Sequence, residues 1–416
     1  MSSGSFPPTP AKLALLFTLA IMFSQPLQQL QQDLADSRGY WQFVPFEQNA
    51  FPWWADNPEL TEALNALNES QLQELKAKPQ EAQDTLAPLL PPLPELPEHL
   101  LTKPRQPSQD YPFWLSTGVK GRKWQQVVAF SQQVTPGGSE FLEWCAGKGH
   151  LGRLLGWQHQ RPVRSVEWQA RLCQSGQQQA QRDSIDQHFI HCNVLKDNTA
   201  PFLTRKTHAV ALHACGDLHI TLLHQGAGAQ IPAISLSPCC YHLISQHQYQ
   251  TLSQLAKQRP FPLGRADLRL AVQETVTAGA RESRKREQEK FSRILFDLWQ
   301  RQTRGADSYL PVPSAPDAII KKGSLGFCQW AAEKKSLPSP NEKELEMLAQ
   351  TVRERYLQLE RMELVQHLYR RALEYYLVLD RCQFLVESGY EVALSAFCER
   401  QVTPRNLLIT ATLSKA

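Results

Sequence analysis

Two acidic residues and a glycine-rich turn could form a nucleotide-binding site in this chain. Residues 139–156 read SEFLEWCAGKGHLGRLLG, a short apolar segment that ends at Glu143 and leads through Gly147 and Gly149 into a helical pattern. Glycine lets the backbone come close to a ligand, and N–H groups at a helix start can hold a carboxylate or phosphate. A second acid, Glu167, ends another apolar segment, where it could accept both hydroxyls of a ribose. Together these residues predict a nucleotide-binding βα unit.

The order of residues in the turn argues against two common nucleotide sites. A phosphate-binding P-loop requires Gly-Lys-Ser/Thr, but Lys148 is followed by Gly149 and His150. Read from Cys145, residues 145–149 give x-x-G-x-G, which is not how the dinucleotide pattern G-x-G-x-x-G begins. An acid at the end of each of two strands, beside a turn read in this way, suits S-adenosylmethionine (SAM), which carries an ammonium, a carboxylate and a sulfonium. The alternative is a tight structural turn between a strand and a helix.

Further polar residues at predicted strand ends could contact a donor or a substrate. Asn193 lies near the end of the third strand, where a side chain could contact an adenine. A hydroxyl nucleophile would need a base, and His213, Asp217 and His242 are the candidates. For Asp217 the alternative is an N-cap of the following helix.

Cysteines follow the same predicted strands. Cys215, Cys239 and Cys240, together with Tyr241, are predicted to line a substrate pocket. The adjacent pair lacks the usual C-x₂₋₄-C spacing, so no metal site is predicted; zinc bound by these thiols and His242 remains an alternative. Cys239 could instead be a nucleophile.

Alternating strands and helices would bring these residues to one edge of a sheet. Five predicted strands end in polar or sulfur-containing residues; they cover 141–142, 163–166, 189–194, 209–213 and 233–236. Repeated βα units imply a parallel sheet with helices on both faces, and ligands lie at its carboxyl edge. The segments 391–397 and 406–412 resemble a closing antiparallel pair. The pattern predicts an α/β fold with a class I methyltransferase (Rossmann-like) sheet.

Four segments together resemble one family. They are EWCAGKGHLGRLL at 143–155, ALHACGDL at 211–218, SPCCYH at 237–242, and LVLDRCQFLVESGY at 377–390 with TPRN at 403–406. They are similar to motifs of methyltransferase-like proteins of the "ribosomal RNA adenine dimethylase domain containing" type. The tRNA acceptor-stem 2′-O-methyltransferases share a related set. The resemblance covers about residues 115–416.

This resemblance implies a SAM-dependent methyltransferase that acts on RNA, either tRNA or rRNA. It implies that Glu143 and the turn with Cys145, Gly147 and Gly149 hold the methionine part of SAM, Glu167 the ribose and Asn193 the adenine edge. The chain departs from the pattern in three ways: Cys145 replaces the first glycine, Tyr241 replaces a histidine of the tRNA enzymes, and their CHHC zinc module is missing. The alternatives are a non-catalytic binding module, which Cys145 favours, and a protein or small-molecule methyltransferase.

The rest of the chain predicts two additions to the sheet. Residues 1–110 are an accessory region of helices that ends in a Pro-rich linker at about 88–107. Residues 111–416 are the methyltransferase domain, with a helical insertion at about 263–374 before the last two strands. In this insertion, 281–304 carries eight basic and four acidic residues and could contact RNA phosphates; a solvated face is the alternative.

Composition fits a large globular protein of the cytoplasm. The 416 residues carry a net charge of +4, which permits an RNA partner without requiring one. Nine cysteines without the spacing of a secreted domain indicate free thiols in a reducing compartment. The apolar run at 13–23 is shorter than the ~20 residues needed to cross a membrane. It predicts a buried helix and no membrane association, with a signal peptide as the alternative.

Overall fold

Eight strands form one mostly parallel sheet in the described part of the chain. The computed structural model describes residues 10–105, 110–273 and 280–414, with backbone alone at 10–20 and 280–283. In chain order the strands are β1 Leu101–Thr102, β2 Glu140–Trp144, β3 Val163–Glu167, β4 Gln187–His191, β5 Thr207–Cys215, β6 Ala233–Cys239, β7 Tyr390–Ala396 and β8 Leu407–Leu413.

The strand order defines the fold. Neighbouring strands follow the order β1-β7-β8-β6-β5-β2-β3-β4. β8 is antiparallel to β6 and β7, and the other neighbours are parallel. The predicted parallel sheet with a closing antiparallel pair is therefore confirmed, and it is the sheet of a class I methyltransferase fold.

Helices connect and cover these strands. In chain order they are α1 Pro10–Asp36, α2 Arg38–Trp41, α3 Pro58–Ala66, α4 Glu69–Ala77, α5 Pro79–Leu86, α6 Phe113–Ser116, α7 Gly121–Gln133, α8 His150–His159, α9 Ala170–Arg182, α10 Asp217–Gly228, α11 Gln254–Lys257, α12 Arg265–Leu270, α13 Ala280–Arg304, α14 Asp317–Ile320, α15 Gly323–Lys334, α16 Glu342–Glu346, α17 Ala349–Leu368 and α18 Arg370–Glu387. Short 3₁₀ turns lie at Pro45–Glu47, Ala87–Leu89, Glu98–Leu100 and Ala200–Phe202.

The chain divides into two compact units. The sheet unit comprises residues 1–35, 94–276 and 370–416, and the helical unit comprises 36–93 and 277–369. The domain boundaries predicted from the sequence, including the linker at 88–107 and the insertion at 263–374, stay a prediction; residues 106–107 of that linker lie outside the described part.

The sheet unit has an apolar core because its central strands are covered on both faces. Every residue of β6 is buried. On one face, side chains of α7 and α8 pack against β2, β3 and β5; the residues that meet there include Val127, Phe130, Leu151, Leu154, Leu155, Phe141, Val163 and Val210. This packing fixes the start of α8 next to the end of β2, where the predicted site lies.

Helix α18 is buried along nearly its whole length. Fourteen of its 18 residues are buried, including the charged Asp380 and Arg381. Buried charges require partners, and those of α18 are described with the site below.

The apolar run at 13–23 is predicted to form a buried helix without membrane association. It lies within α1, where the side chains of 13–20 are outside the described part and Phe23 is fully buried. Among the described residues, no helix combines the length and apolar character required to cross a membrane.

Candidate functional site

The turn after β2 has three residues in the left-handed backbone region. Cys145, Gly147 and Gly149 have φ values of 58°, 59° and 69°. Glycine adopts this conformation freely, whereas a side chain there is strained. Cys145, which occupies the first glycine position of the family motif, therefore keeps the turn at a cost in backbone energy.

Glu143 holds the strand, the turn and the helix together from inside the sheet. Its side chain is buried, and Oε2 accepts hydrogen bonds from Ser165 Oγ (2.7 Å) and Gln187 Nε2 (3.4 Å). The backbone N–H groups of Leu151 and Gly152, at the start of α8, also stabilise its charge. Burial nevertheless raises the pKa of Glu143 to about 7. The carboxylate therefore already accepts hydrogen bonds from other groups of the protein. Its predicted contact with the methionine part of SAM stays a prediction.

Glu167 supports the same turn from the neighbouring strand. Its Oε2 accepts from Gly147 N and its Oε1 from Gln169 N, both at 2.9 Å. A carboxylate has about four acceptor positions, so two remain for ribose hydroxyls. The structure thus joins Glu167 directly to the glycine turn, as expected for two parts of one site, and its contact with ribose stays a prediction.

The space around the glycines suits a ligand on one side of the turn. A Cβ placed on Gly147 would have no described atom within 4 Å, so this residue borders open space. A Cβ on Gly149 would overlap the Phe189 ring and the Gln187 amide. Packing against Phe189 and Gln187 therefore excludes any side chain at residue 149. Gly147, whose backbone contacts Glu167, leaves space for a ligand. These residues fit the adenosyl donor: an open turn and a carboxylate beside it.

Asn193 lies farther along the chain than the strand prediction implied. β4 ends at His191, two residues before Asn193. The Asn193 Oδ1 accepts from Leu195 N at 3.1 Å and so shapes the turn that follows the strand. Its contact with an adenine stays a prediction.

His213 interrupts β5 near its end. A β-bulge lies between Leu212 and Cys215, and His213 has a φ of 69°. Its Nε2 lies 2.8 Å from Gln126 Oε1, so this nitrogen carries the proton and Nδ1 is free to accept one. Desolvation and the charge of Lys123 lower the pKa of His213, so the ring is neutral at pH 7. A neutral imidazole in this position can act as a base.

The other two base candidates differ in their surroundings. Asp217 is the first residue of α10, and its Oδ2 accepts from Ser245 N at 2.7 Å. This contact ties the loop after β6 to α10, but Asp217 does not cap the helix, because Gly216 is the N-cap and no side chain caps it. His242 has a buried Nδ1 with no hydrogen-bond partner, and desolvation lowers its pKa. His213 and His242 therefore fit a base better than Asp217 does.

The predicted pocket cysteines converge. Cys215 Sγ and Cys239 Sγ are 3.4 Å apart, and hydrogen bonds from these two thiols lower the pKa of Cys240. The cluster also adjoins the glycine turn: burial raises the pKa of Cys145 to about 12, with smaller contributions from Glu167 and Cys215. The structure thus brings the ends of β2, β3, β5 and β6 together, as the sequence predicted.

Tyr241 points into the protein. It is 1% exposed, and the Arg381 guanidinium lies over its ring at 5.0 Å. Its hydroxyl is buried without a hydrogen-bond partner. The side chain therefore packs beneath the loop after β6, away from the solvent-facing edge.

A buried network from α18 supports these strand ends. Arg381 Nε donates to His219 Nε2 (2.9 Å), and His219 Nδ1 donates to the carbonyl of Ala214 (2.8 Å) in β5. Arg381 also donates to Tyr249 Oη (3.1 Å), which donates to Asp380 Oδ2 (2.6 Å). Because Nε2 of His219 accepts from a cation, the ring must be neutral, in agreement with its strongly lowered pKa. The sequence indicated Leu379, Asp380 and Arg381 only through the resemblance of 377–390 to a family motif. The hydrogen bonds of Asp380 and Arg381 explain why these two charges are buried.

Acidic residues of the helical unit pair with part of the basic helix α13, as far as its side chains are described. Four of its basic residues form ion pairs: Lys285 with Asp317, Lys290 with Glu360 and Glu363, Arg293 with Glu289, and Arg301 with Asp297 and Asp307. Surface charges paired in this way attract a polyanion less than isolated ones do. Binding of RNA by 281–304 stays a prediction.

Comparison with known proteins agrees with this site. Residues 122–247, which contain the glycine turn and the cysteine cluster, match the sequence model of a family described as a methyltransferase domain. A search of curated proteins gives no match. One solved structure that matches is coclaurine N-methyltransferase bound to N-methylheliamine and SAH, with 10% identity, 97% of this chain and 99% of that chain covered, and a TM-score of 0.25.

A TM-score of this size does not relate two folds, so the assignment depends on the domain match and on the strand order. Residues 122–247 therefore match a methyltransferase domain, and the strand order is that of a class I methyltransferase fold.

Proposed function

We propose that this protein transfers the methyl group of SAM to RNA. The observation that favours this substrate is the positive charge around the two candidate bases. Lys123 and Arg405 both lower the pKa of His213, and Arg269 lowers that of His242. Besides desolvation, three cations from separate segments therefore act on the charge of these two histidines. Such an arrangement attracts a polyanion and holds its phosphates near the site.

The protein contributes position and a proton acceptor to this reaction. SAM supplies a methyl carbon bound to a positively charged sulfur. Glu167 and the backbone at Gly147 orient the donor, and the cations orient the RNA so that its nucleophile approaches in line. Positioning of this kind can supply ~7–11 kcal/mol of the barrier. Neutral His213 accepts the proton of a hydroxyl nucleophile at Nδ1, because its Nε2 proton is held by Gln126.

Transfer of tritium from [methyl-³H]SAM tests the proposal. The full chain is incubated with total RNA or with cell lysate, and the label is measured before and after RNase treatment. We expect label in RNA that RNase removes. Label that resists RNase and is removed by protease would contradict an RNA substrate and indicate a protein.

Two pairs of variants connect the label to the site. Gly147→Arg fills the open side of the turn and should abolish both the label and binding of S-adenosylhomocysteine (SAH). Gly389→Arg is the matched control, because Gly389 also has a positive φ and free space but precedes β7 at the opposite edge. Lys123→Met should lower RNA labelling several-fold without loss of SAH binding, whereas exposed Lys206, which precedes β5, should tolerate the same change.

A further inference from the structure

The sulfur atoms of Cys215, Cys239 and Cys240 lie close enough to share one ligand. All three lie within 4.8 Å of one another, and those of Cys215 and Cys239 are 3.4 Å apart. In a tetrahedral zinc site with Zn–S of about 2.3 Å, neighbouring sulfurs are about 3.8 Å apart. Movements of the sulfur atoms by no more than about 1 Å would bring the three thiols to this spacing.

Backbone conformation explains why two adjacent cysteines can act together. Consecutive side chains of a strand point to opposite faces. Cys239 is the last residue of β6, and Cys240 follows it with a φ of 45°, which breaks the alternation. The extra residue in the β5 bulge then places Cys215 opposite Cys239. The spacing rule that argued against a metal in the sequence does not apply to this conformation.

The neighbouring structure holds the three sulfurs in place. Gly216 N donates to the carbonyl of Cys239 at 3.3 Å, which joins the two strand ends directly. His219 fixes Ala214, the residue before Cys215, through the Arg381 network. Metal ligands held by such secondary contacts keep their geometry before the ion arrives.

A further donor, His242, lies two residues beyond Cys240 but outside the group within 4.8 Å, so its side chain must move toward the sulfurs to reach the ion. The Nδ1 atom of His242 is buried and has no hydrogen-bond partner. Three sulfurs and an imidazole form a Cys₃His set, which zinc binds in tetrahedral geometry. Soft thiolate ligands also exclude magnesium and calcium, which require oxygen.

We propose that Cys215, Cys239 and Cys240 bind one zinc ion, with His242 as the fourth ligand. Cys215 and Cys239 release their protons to solvent when the ion binds, whereas Cys240 binds as the thiolate that their hydrogen bonds favour. The site is distinct from the donor-binding turn, although it adjoins it, and a zinc-bound His242 leaves His213 as the base of the proposed reaction.

Metal content and cobalt absorption test the site. The full chain, purified under reducing conditions with zinc in the medium, should contain one zinc per chain. After removal by a chelator, titration with Co²⁺ should give a thiolate-to-cobalt charge-transfer band that saturates at one equivalent. Zinc far below one per chain, together with no cobalt band, would overturn the proposal. So would a disulfide between two of these three thiols, located by peptide mapping of the chain purified without reductant.

Serine variants assign the ligands. Cys215→Ser, Cys239→Ser and Cys240→Ser should each weaken cobalt binding at least tenfold, and His242→Ala should shift the ligand-field bands with a smaller loss. Cys398→Ser is the matched control, because Cys398 is also a half-buried free thiol but lies outside the cluster. An unchanged band in all three cluster variants would contradict the assignment.

Two further measurements separate this proposal from others. Far-UV circular dichroism of each variant shows whether the chain remains folded; the wild-type titration still decides the matter if a variant does not fold. SAH binding measured before and after zinc removal reports on the donor site alone. Loss of zinc with retained SAH binding supports a separate metal site, whereas a chain that binds zinc but no SAH would contradict only the methyl-transfer proposal.

Discussion

The turn after β2 and the thiol cluster after β5 and β6 meet at one edge of the sheet, but different parts of the chain support them. Both contain non-glycine residues with positive φ, Cys145 in the first and His213 and Cys240 in the second. Glu143 supports the first turn through residues 22 and 44 positions away. Arg381 supports the second through His219, which is 162 positions away.

The donor turn and the thiol cluster are therefore stabilised by different parts of the chain. The donor turn forms within a continuous segment, so its geometry depends on local residues of β2, β3, β4 and α8. The cluster depends on α18, which belongs to the last part of the chain. A change in α18 should therefore disturb the thiols and bases more than it disturbs the donor turn.

The largest effect is expected from removal of the Asp380 carboxylate. Asp380 is fully buried and accepts from Leu252 N, Ser253 N, Ser253 Oγ and Tyr249 Oη. Asp380→Ala leaves these donors without an acceptor and should lower the free energy of unfolding by ~3–5 kcal/mol. Equilibrium urea unfolding measures this.

A matched control lies on the same helix. Glu387 also accepts two backbone N–H groups, those of Gln254 and Leu255, but in exposed positions. Glu387→Ala should lower the free energy of unfolding by about 1 kcal/mol or less, because water replaces the lost acceptor. Equal losses in the two variants would refute a special role for the buried network.

The second effect concerns the donor turn and depends on pH. The pKa of Glu143 is about 7 in the folded chain and about 4.5 as its ordinary value. Between pH 4.5 and pH 7 the folded chain binds a proton at Glu143 that the unfolded chain has released. The contribution of this proton to the free energy of unfolding is therefore complete below pH 4.5 and is lost as pH rises through 7. The shift corresponds to about 3 kcal/mol.

Glu143→Gln removes this titration. The free energy of unfolding of the wild type relative to Glu143→Gln should therefore fall by about 3 kcal/mol between pH 5 and pH 8. Urea unfolding at both pH values provides the measurement. A difference that stays constant across this range would show that Glu143 is ionised at pH 5 and that the turn stabilises its charge fully.

The smallest effect is expected at Cys145. Cys145→Gly relieves the left-handed strain, which costs roughly 1–2 kcal/mol, but increases the entropy of the unfolded chain by about 0.4–1 kcal/mol. The free energy of unfolding should therefore rise by about 0.5–1 kcal/mol, measured from the midpoint of urea unfolding. The affinity for SAH should stay the same or increase. A variant less stable than the wild type would show that the Cys145 thiol makes packing contacts worth more than the strain.

Local patterns predicted the order of strand, glycine turn and helix, whereas they did not predict the contacts between distant residues. Glu143, Gly147 and Glu167 follow from a strand, acid and turn order that a short segment contains, and β3 ends at Glu167 as predicted. The partners of Glu143 did not follow from the pattern, because Ser165 and Gln187 become its neighbours only through strand register.

The cysteine cluster shows the other limit of sequence reasoning. Cys215, Cys239 and Cys240 were placed correctly at strand ends, but the bulge and the left-handed residue that bring their sulfurs together have no sequence signature. Asn193 illustrates the uncertainty of strand ends: FIHCNV has strand-like residues throughout, yet pairing with β3 stops at His191. The hydrogen bond from Leu195 N to Asn193 Oδ1 stabilises a turn, and this turn replaces further extension of the strand.

The two-residue strand β1 has a consequence for how this protein behaves at high concentration. β1 pairs with Leu394 and Ser395 of β7, the strand that would otherwise form the outer border of the sheet. An unpaired border offers a row of free N–H and C=O groups on which a second molecule can add its own strand. Because β1 occupies part of this row and Pro104 soon follows it, sideways growth into aggregates is hindered at this border.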